Sequence, residues 1–156
     1  MHLDNQVPLI KRPIIPKILK DKINVVANCK LKEQEIHLFN MSLQCVANHL
    51  VNDNINLETY FSLNIIFTEM GVFSFHENNE CNNGSQFYSA IYRMGKLRKI
   101  NNNVFTMFVY IEELTHYFWR IYDETIVKYK VVEILNDVVP NLSIEDLKGC
   151  GLNGID

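Results

Sequence analysis

Residues 104–123 read VFTMFVYIEELTHYFWRIYD, and the order of apolar and ionisable side chains in this stretch sets the architecture around it. At about 100° per residue, Ile111, Leu114, Tyr117, Phe118, Trp119, Ile121 and Tyr122 fill one continuous apolar arc. That predicts a helix from about Val104 to Tyr122 with the arc in the core. Glu112, Glu113, His116, Arg120 and Asp123 share the opposite stripe. Phe105 and Val109 occupy the same stripe one and two turns earlier, so the helix is apolar all round where it begins, as a central helix is. On a solvated face the stripe would hold i,i+4 pairs, Glu112 with His116 and His116 with Arg120, worth roughly a few tenths of a kcal/mol each. On a sheltered face these groups must pair, bind a cation or change protonation state, because burying unpaired charge costs about several kcal/mol.

Downstream, a second helix is expected after a bend at Asp123-Glu124, running through Val131, Ile134, Leu135 and Val138 and stopping before Pro140. Ser143 with Asp146 matches a capping box for a last short helix that Gly149 would end. Upstream, Gly95–Lys99 and Asn101–Asn103 read as a polar connector protecting a sheet edge. Before it, β-branched and aromatic runs at Leu63–Glu69, Val72–His76 and Gln86–Met94 predict a small antiparallel three-stranded sheet, its last two strands joined through an Asn82-Asn83-Gly84 turn. Ile36, Phe39, Leu43, Val46 and Leu50 predict an amphipathic helix from about Lys32 to Asn52, and INVVANC (Ile23–Cys29) is compatible with a short strand. Pro8, Pro13 and Pro16 favour an extended arm before it. The expectation is an α+β fold: N-terminal extended arm, helix, small antiparallel three-stranded sheet and two long C-terminal helices. It forms one domain over 1–156, with a basic arm at 1–30, a core at 31–139 and a tail with a short helix at 140–156.

Composition bounds the function. The protein has 156 residues, 47% hydrophobic, 21% charged and a formal net charge of −3, enough for one packed core and wrong for a polyanion-coating protein. No apolar run approaches the roughly 18–20 residues a bilayer span needs, and the first residues lack a signal-peptide segment, which predicts a cytoplasmic protein with no membrane partner. On that reading the sequons at Asn40, Asn83 and Asn141 carry no glycan. Cys29, Cys45, Cys81 and Cys150 form no Cys-x-x-Cys pair and read as free, mostly buried thiols. Residues 1–32 hold seven bases against two acids, and residues 112–156 hold nine acids against four bases. Without aromatic side chains among those bases, the arm lacks a base-stacking platform, which argues against a nucleic-acid partner and for contact with the protein's own acidic half.

The i and i+4 positions of a helix reach one cation together, with a glutamate at i+1 placed to activate a bound water. Here Glu112-Glu113-Leu114-Thr115-His116 resembles the His-Glu-x-x-His motif of the zincin metallopeptidases, with Glu112 in place of the first histidine. The resemblance covers residues 32–139, because zincin cores place a backing helix, a small sheet whose edge strand holds extended substrate, the motif helix and then a ligand-bearing helix. It implies a metal-dependent hydrolase of peptide with Glu113 as general base. The ligands of Zn2+ or another divalent metal would be Glu112, His116 and, as in gluzincins, Glu133 or less favourably Glu124. The extra negative charge at Glu112 would raise the pKa of a bound water, which fits a degenerate zincin that keeps the fold and loses catalysis. The alternative is a non-catalytic protein–protein interaction protein, its nineteen asparagines reflecting a mobile element or AT-rich bacterium. The phosphate-binding Gly-x-x-x-x-Gly-Lys and nucleophile-elbow Gly-x-Ser-x-Gly motifs are absent from the sequence.

Overall fold

A computed structural model describes residues 2–3, 5–72, 74–76 and 87–148. Its centre is a three-stranded sheet of β2 (Ile23–Ala27), β3 (Leu63–Thr68) and β5 (Tyr88–Arg93), in the order β2-β3-β5. Both pairings are parallel, with Val25 opposite Ile65 and Ile65 opposite Ala90. The α+β class holds, and the antiparallel sheet expected from strand spacing is corrected.

Helix α1 (Glu33–Asn52) lies between β2 and β3 in sequence and leads back to the start of the sheet, which makes the two strands run the same way. INVVA thus supplies a full strand. The expected strand at Val72–His76 is reduced to β4 (Phe75–His76), which pairs antiparallel with β1 (His2–Leu3) in a separate two-residue ladder. The hairpin turn expected at Asn82-Asn83-Gly84 lies outside the described residues, as do Cys81, Cys150 and the end of the tail. Alternation and turn residues locate strands without fixing their direction. The run Ile65-Ile66-Phe67, all three buried, marks a central strand covered on both faces, as parallel strands are.

Helix α3 (Asn103–Trp119) packs on the sheet between α1 and α4 (Glu124–Leu135). Asn102 caps it, its side chain accepting from Phe105 N–H at 2.9 Å. Phe39 of α1 meets Phe67, Tyr92 and Tyr110 edge-on, with ring centroids 5.1, 6.1 and 5.4 Å away, and these rings form the middle of the core. The expected connector at Gly95–Lys99 is a helix, α2 (Met94–Ile100), anchored by buried Met94 and Leu97. The short tail helix α5 (Ile144–Lys148) forms as expected, with Ser143 N–H donating to Asp146 at 2.8 Å.

The arm lies along β2 instead of the acidic C-terminal half. Val7 N–H donates to the Ala27 carbonyl at 2.8 Å, and Ile14 N–H donates to the Asn40 side chain at 2.8 Å. Among the described residues no ion pair joins the arm's bases to the acids of residues 112–156. No described helix is long and apolar enough to cross a membrane.

Candidate functional site

Helix α3 stops at Trp119, three residues earlier than the apolar arc predicts. The backbone turns at Arg120, which adopts φ 54° and ψ 37°, the left-handed conformation usual for glycine at a helix end. Two hydroxyls fasten this end of the helix to the segment before β3. Tyr60 Oη donates to the Phe118 carbonyl and Tyr117 Oη donates to the Phe61 carbonyl, each at 2.8 Å. The first bond satisfies a carbonyl that the end of a helix leaves without an internal donor.

Between these parts lies a cleft of about 440 Å³ at the amino ends of β3 and β5. One wall is aromatic: the Phe61 and Tyr88 rings stack with centroids 6.0 Å apart, and Tyr88 meets Tyr117 at 5.5 Å. The other wall holds Glu113, His116 and Arg120. The Arg120 guanidinium lies 4.7 Å from the centre of the Tyr60 ring and has no carboxylate partner among the described residues.

The central-helix reading holds for the acidic pair. Glu112 is 8% exposed, and its Oε1 is buried with no hydrogen-bond partner, as is Thr115 Oγ1. Burial first, and then the charges of Glu113 and Glu124, raise the Glu112 carboxyl to about 7, against the lowering effect of His116 and Lys128. Glu113 is half-buried and is also raised, chiefly by burial. His116 Nδ1 lies 2.6 Å from the Ile121 carbonyl, which can only accept, so Nδ1 carries the proton. Nε2 lies 3.7 Å from Glu124 Oε1. A carbonyl on Nδ1 is the partner that orients a histidine for proton transfer or metal binding.

Glu133 does not join this group. Its carboxylate accepts from Lys130 Nζ at 2.9 Å and stands 3.6 Å from His49 Nδ1, in a network where Lys130 also pairs with Asp53 at 2.7 Å. Lys130 is in turn placed over Trp119, whose indole N–H donates to Asp53 at 2.7 Å. The opposite charge of Lys130 and the imidazole of His49 draw Glu133 toward α1. Of the expected ligand set, Glu112 and His116 are neighbours on α3, and the acid facing His116 is Glu124. Among the described residues no three histidine, cysteine, aspartate or glutamate side chains gather closely enough to hold a metal ion. The structure does not bring the expected triad of Glu112, His116 and Glu133 together. Asp123, counted in the helical stripe, instead caps α4 by accepting from Thr125 and Ile126 N–H at 2.9 Å.

Sequence reasoning missed the aromatic wall. Tyr60 and Phe61 follow a single 3-10 turn at Leu57–Thr59 and precede a strand, so no periodicity marks them, and their partner Tyr88 is distant in sequence. No family model, curated protein or solved structure matches the protein.

Proposed function

We propose that the protein binds a short peptide segment in the cleft beside Glu113 and His116, on a zincin-like frame whose motif has degenerated, and so acts as an interaction protein. One observation carries the reading: a partly open cleft with a stacked aromatic wall faces a charged wall at the end of the motif helix. Its volume is that of sites for small ligands, about 300–1,000 Å³, which suits a few residues of peptide and not a folded domain. Aromatic side chains with a guanidinium are the groups that dominate recognition of protein segments. The placement of Glu133 beside Lys130 supports loss of the ancestral ligand set.

A second reading, peptide hydrolysis with Glu113 as base, is favoured by the unpartnered Glu112 Oε1 and by the orientation of His116, whose Nδ1 is held on the Ile121 carbonyl. In that case a divalent ion would have to draw Glu112, His116 and Glu124 together from the separate positions they hold here, and would supply a bound water of lowered pKa. Elemental analysis and peptide binding with and without chelator separate the two. Binding that survives chelation, without cleavage, is the expected result. Stoichiometric zinc with cleavage that Glu113→Gln abolishes, while folding and binding persist, would replace it with the hydrolase. Failure to bind peptide in either condition would overturn both.

A further inference from the structure

We infer that Arg120 makes this cleft selective for peptides that present a carboxylate, with the Phe61–Tyr88 pair taking the neighbouring side chain. The inference rests on the peptide reading of the cleft and names the chemistry it selects. Arginine at position 120 is costly in conformation: φ 54° is a region where L side chains other than asparagine are rare. Glycine would serve the turn without strain. Strain kept at a cleft wall is a mark of a functional constraint.

The second observation is electrostatic. Arg98, at another junction of the fold, spends four hydrogen bonds on Glu35, Glu69 and the Lys30 carbonyl. Among the described residues Arg120 has only the face of Tyr60, so its planar fork of donors remains available to a carboxylate in two-point contact. The acids nearest the cleft do not compete for it: Glu113 is half-buried with its pKa raised by burial, and Glu124 faces His116. A carboxylate on Arg120 would sit at the mouth, next to the stacked rings of Phe61 and Tyr88, where apolar or aromatic side chains find a flat partner.

Two sources carry this chemistry, the free carboxyl terminus of a peptide and an acidic side chain. The test uses a fluorescein-labelled randomised hexapeptide library in three forms: uncharged with a terminal amide, the same with a free terminal carboxylate, and the amide form with one internal glutamate. Polarisation is measured on the full-length protein. At least one carboxylate form should bind ten times or more tighter than the uncharged form, with the preference shrinking as salt is added. Whichever carboxylate form carries it names the source.

Arg120→Gly keeps the left-handed turn, so it should fold and lose the preference among the three forms, whatever its overall affinity. Arg120→Lys should retain part of it. Equal binding of all three forms to the natural protein, or an undiminished preference in Arg120→Gly, would overturn the inference and leave the peptide reading standing. Absence of binding by every form would overturn both.

Discussion

The two ends of the parallel sheet hold charge in opposite ways. At the carboxyl ends of the strands Arg98 of α2 forms a two-point pair with Glu35, at 2.7 and 2.9 Å, adds Glu69, and takes the Lys30 carbonyl at 2.8 Å. Glu35 also accepts from Lys32 N–H at 2.7 Å, closing the first turn of α1. Gly95 lets this end close, because a Cβ there would lie 2.6 Å from the Glu69 carbonyl oxygen. The carboxyl end is where open parallel sheets usually bind ligands, and here protein groups fill it. At the amino ends the cleft stays open. There, among the described residues, Arg120 has no acidic partner, and Glu112, the neighbour of the cleft residue Glu113, has its Oε1 buried without a hydrogen bond. A saturated charge network is structural. An unsaturated one is where a ligand gains most.

The same contrast reverses the pH response of two carboxylates. Burial pushes Glu35 up, but hydrogen bonds from Arg98 and Lys32 outweigh it and hold its carboxyl below the usual range. Its contribution to stability is present above the ordinary carboxylate pKa and is lost as pH falls through the lowered one. Glu112 is raised, so the native state holds its proton while the unfolded state releases it. Stability therefore falls as pH rises from about 4.5 to about 7 and is level above that.

Breaking the saturated end should have the largest effect. Arg98→Ala leaves Glu35 buried without its partner, and urea unfolding should show a loss of about 3 kcal/mol with peptide affinity unchanged for the folded fraction. A loss under about 1 kcal/mol would mean that Glu35 relaxes into water and that the two ends are alike. Next, Glu112→Gln in metal-free buffer should remove a stability decline of about 3 kcal/mol between pH 4.5 and 7. Parallel pH curves for the variant and the natural protein would show that the buried carboxyl titrates normally. The smallest change in stability belongs to Phe61→Ala, since that ring is 61% exposed. Unfolding should shift by no more than about 0.5 kcal/mol while peptide affinity drops roughly fivefold or more. Unaltered affinity would remove the aromatic wall from the binding surface.

Much of the architecture was legible in short-range pattern. The apolar periods of residues 32–52 and 104–119, the Ser143–Asp146 box and the strand at 63–68 all form, because each depends on neighbours within one or two turns. Sheet direction was not legible: β2 is joined to β3 through α1, and neither strand alone records which way its partner runs. The end of α3 was misread because its stop carries arginine where glycine would have announced it. Helix α2 was hidden by a glycine and three bases, although Met94 and Leu97 at a three-residue step mark its buried side. In the site, Glu112, Glu113 and His116 were legible as neighbours, since helical spacing alone brings them together. Glu133 was assigned to them by resemblance, and a lysine three residues before it on α4 holds it elsewhere.

By itself the amino-acid sequence determined most of the segments that coil or extend, that one helix must be central, and that its acids and imidazole would share one stripe. These are consequences of period and burial, which act locally. Only the tertiary structure decided the parallel sheet, the aromatic wall opposite that stripe, and the separation of a paired arginine at one end from an unpaired one at the other. Each of these depends on groups far apart in sequence meeting at a few Å, a distance at which charge and ring contacts act and over which sequence spacing has no hold.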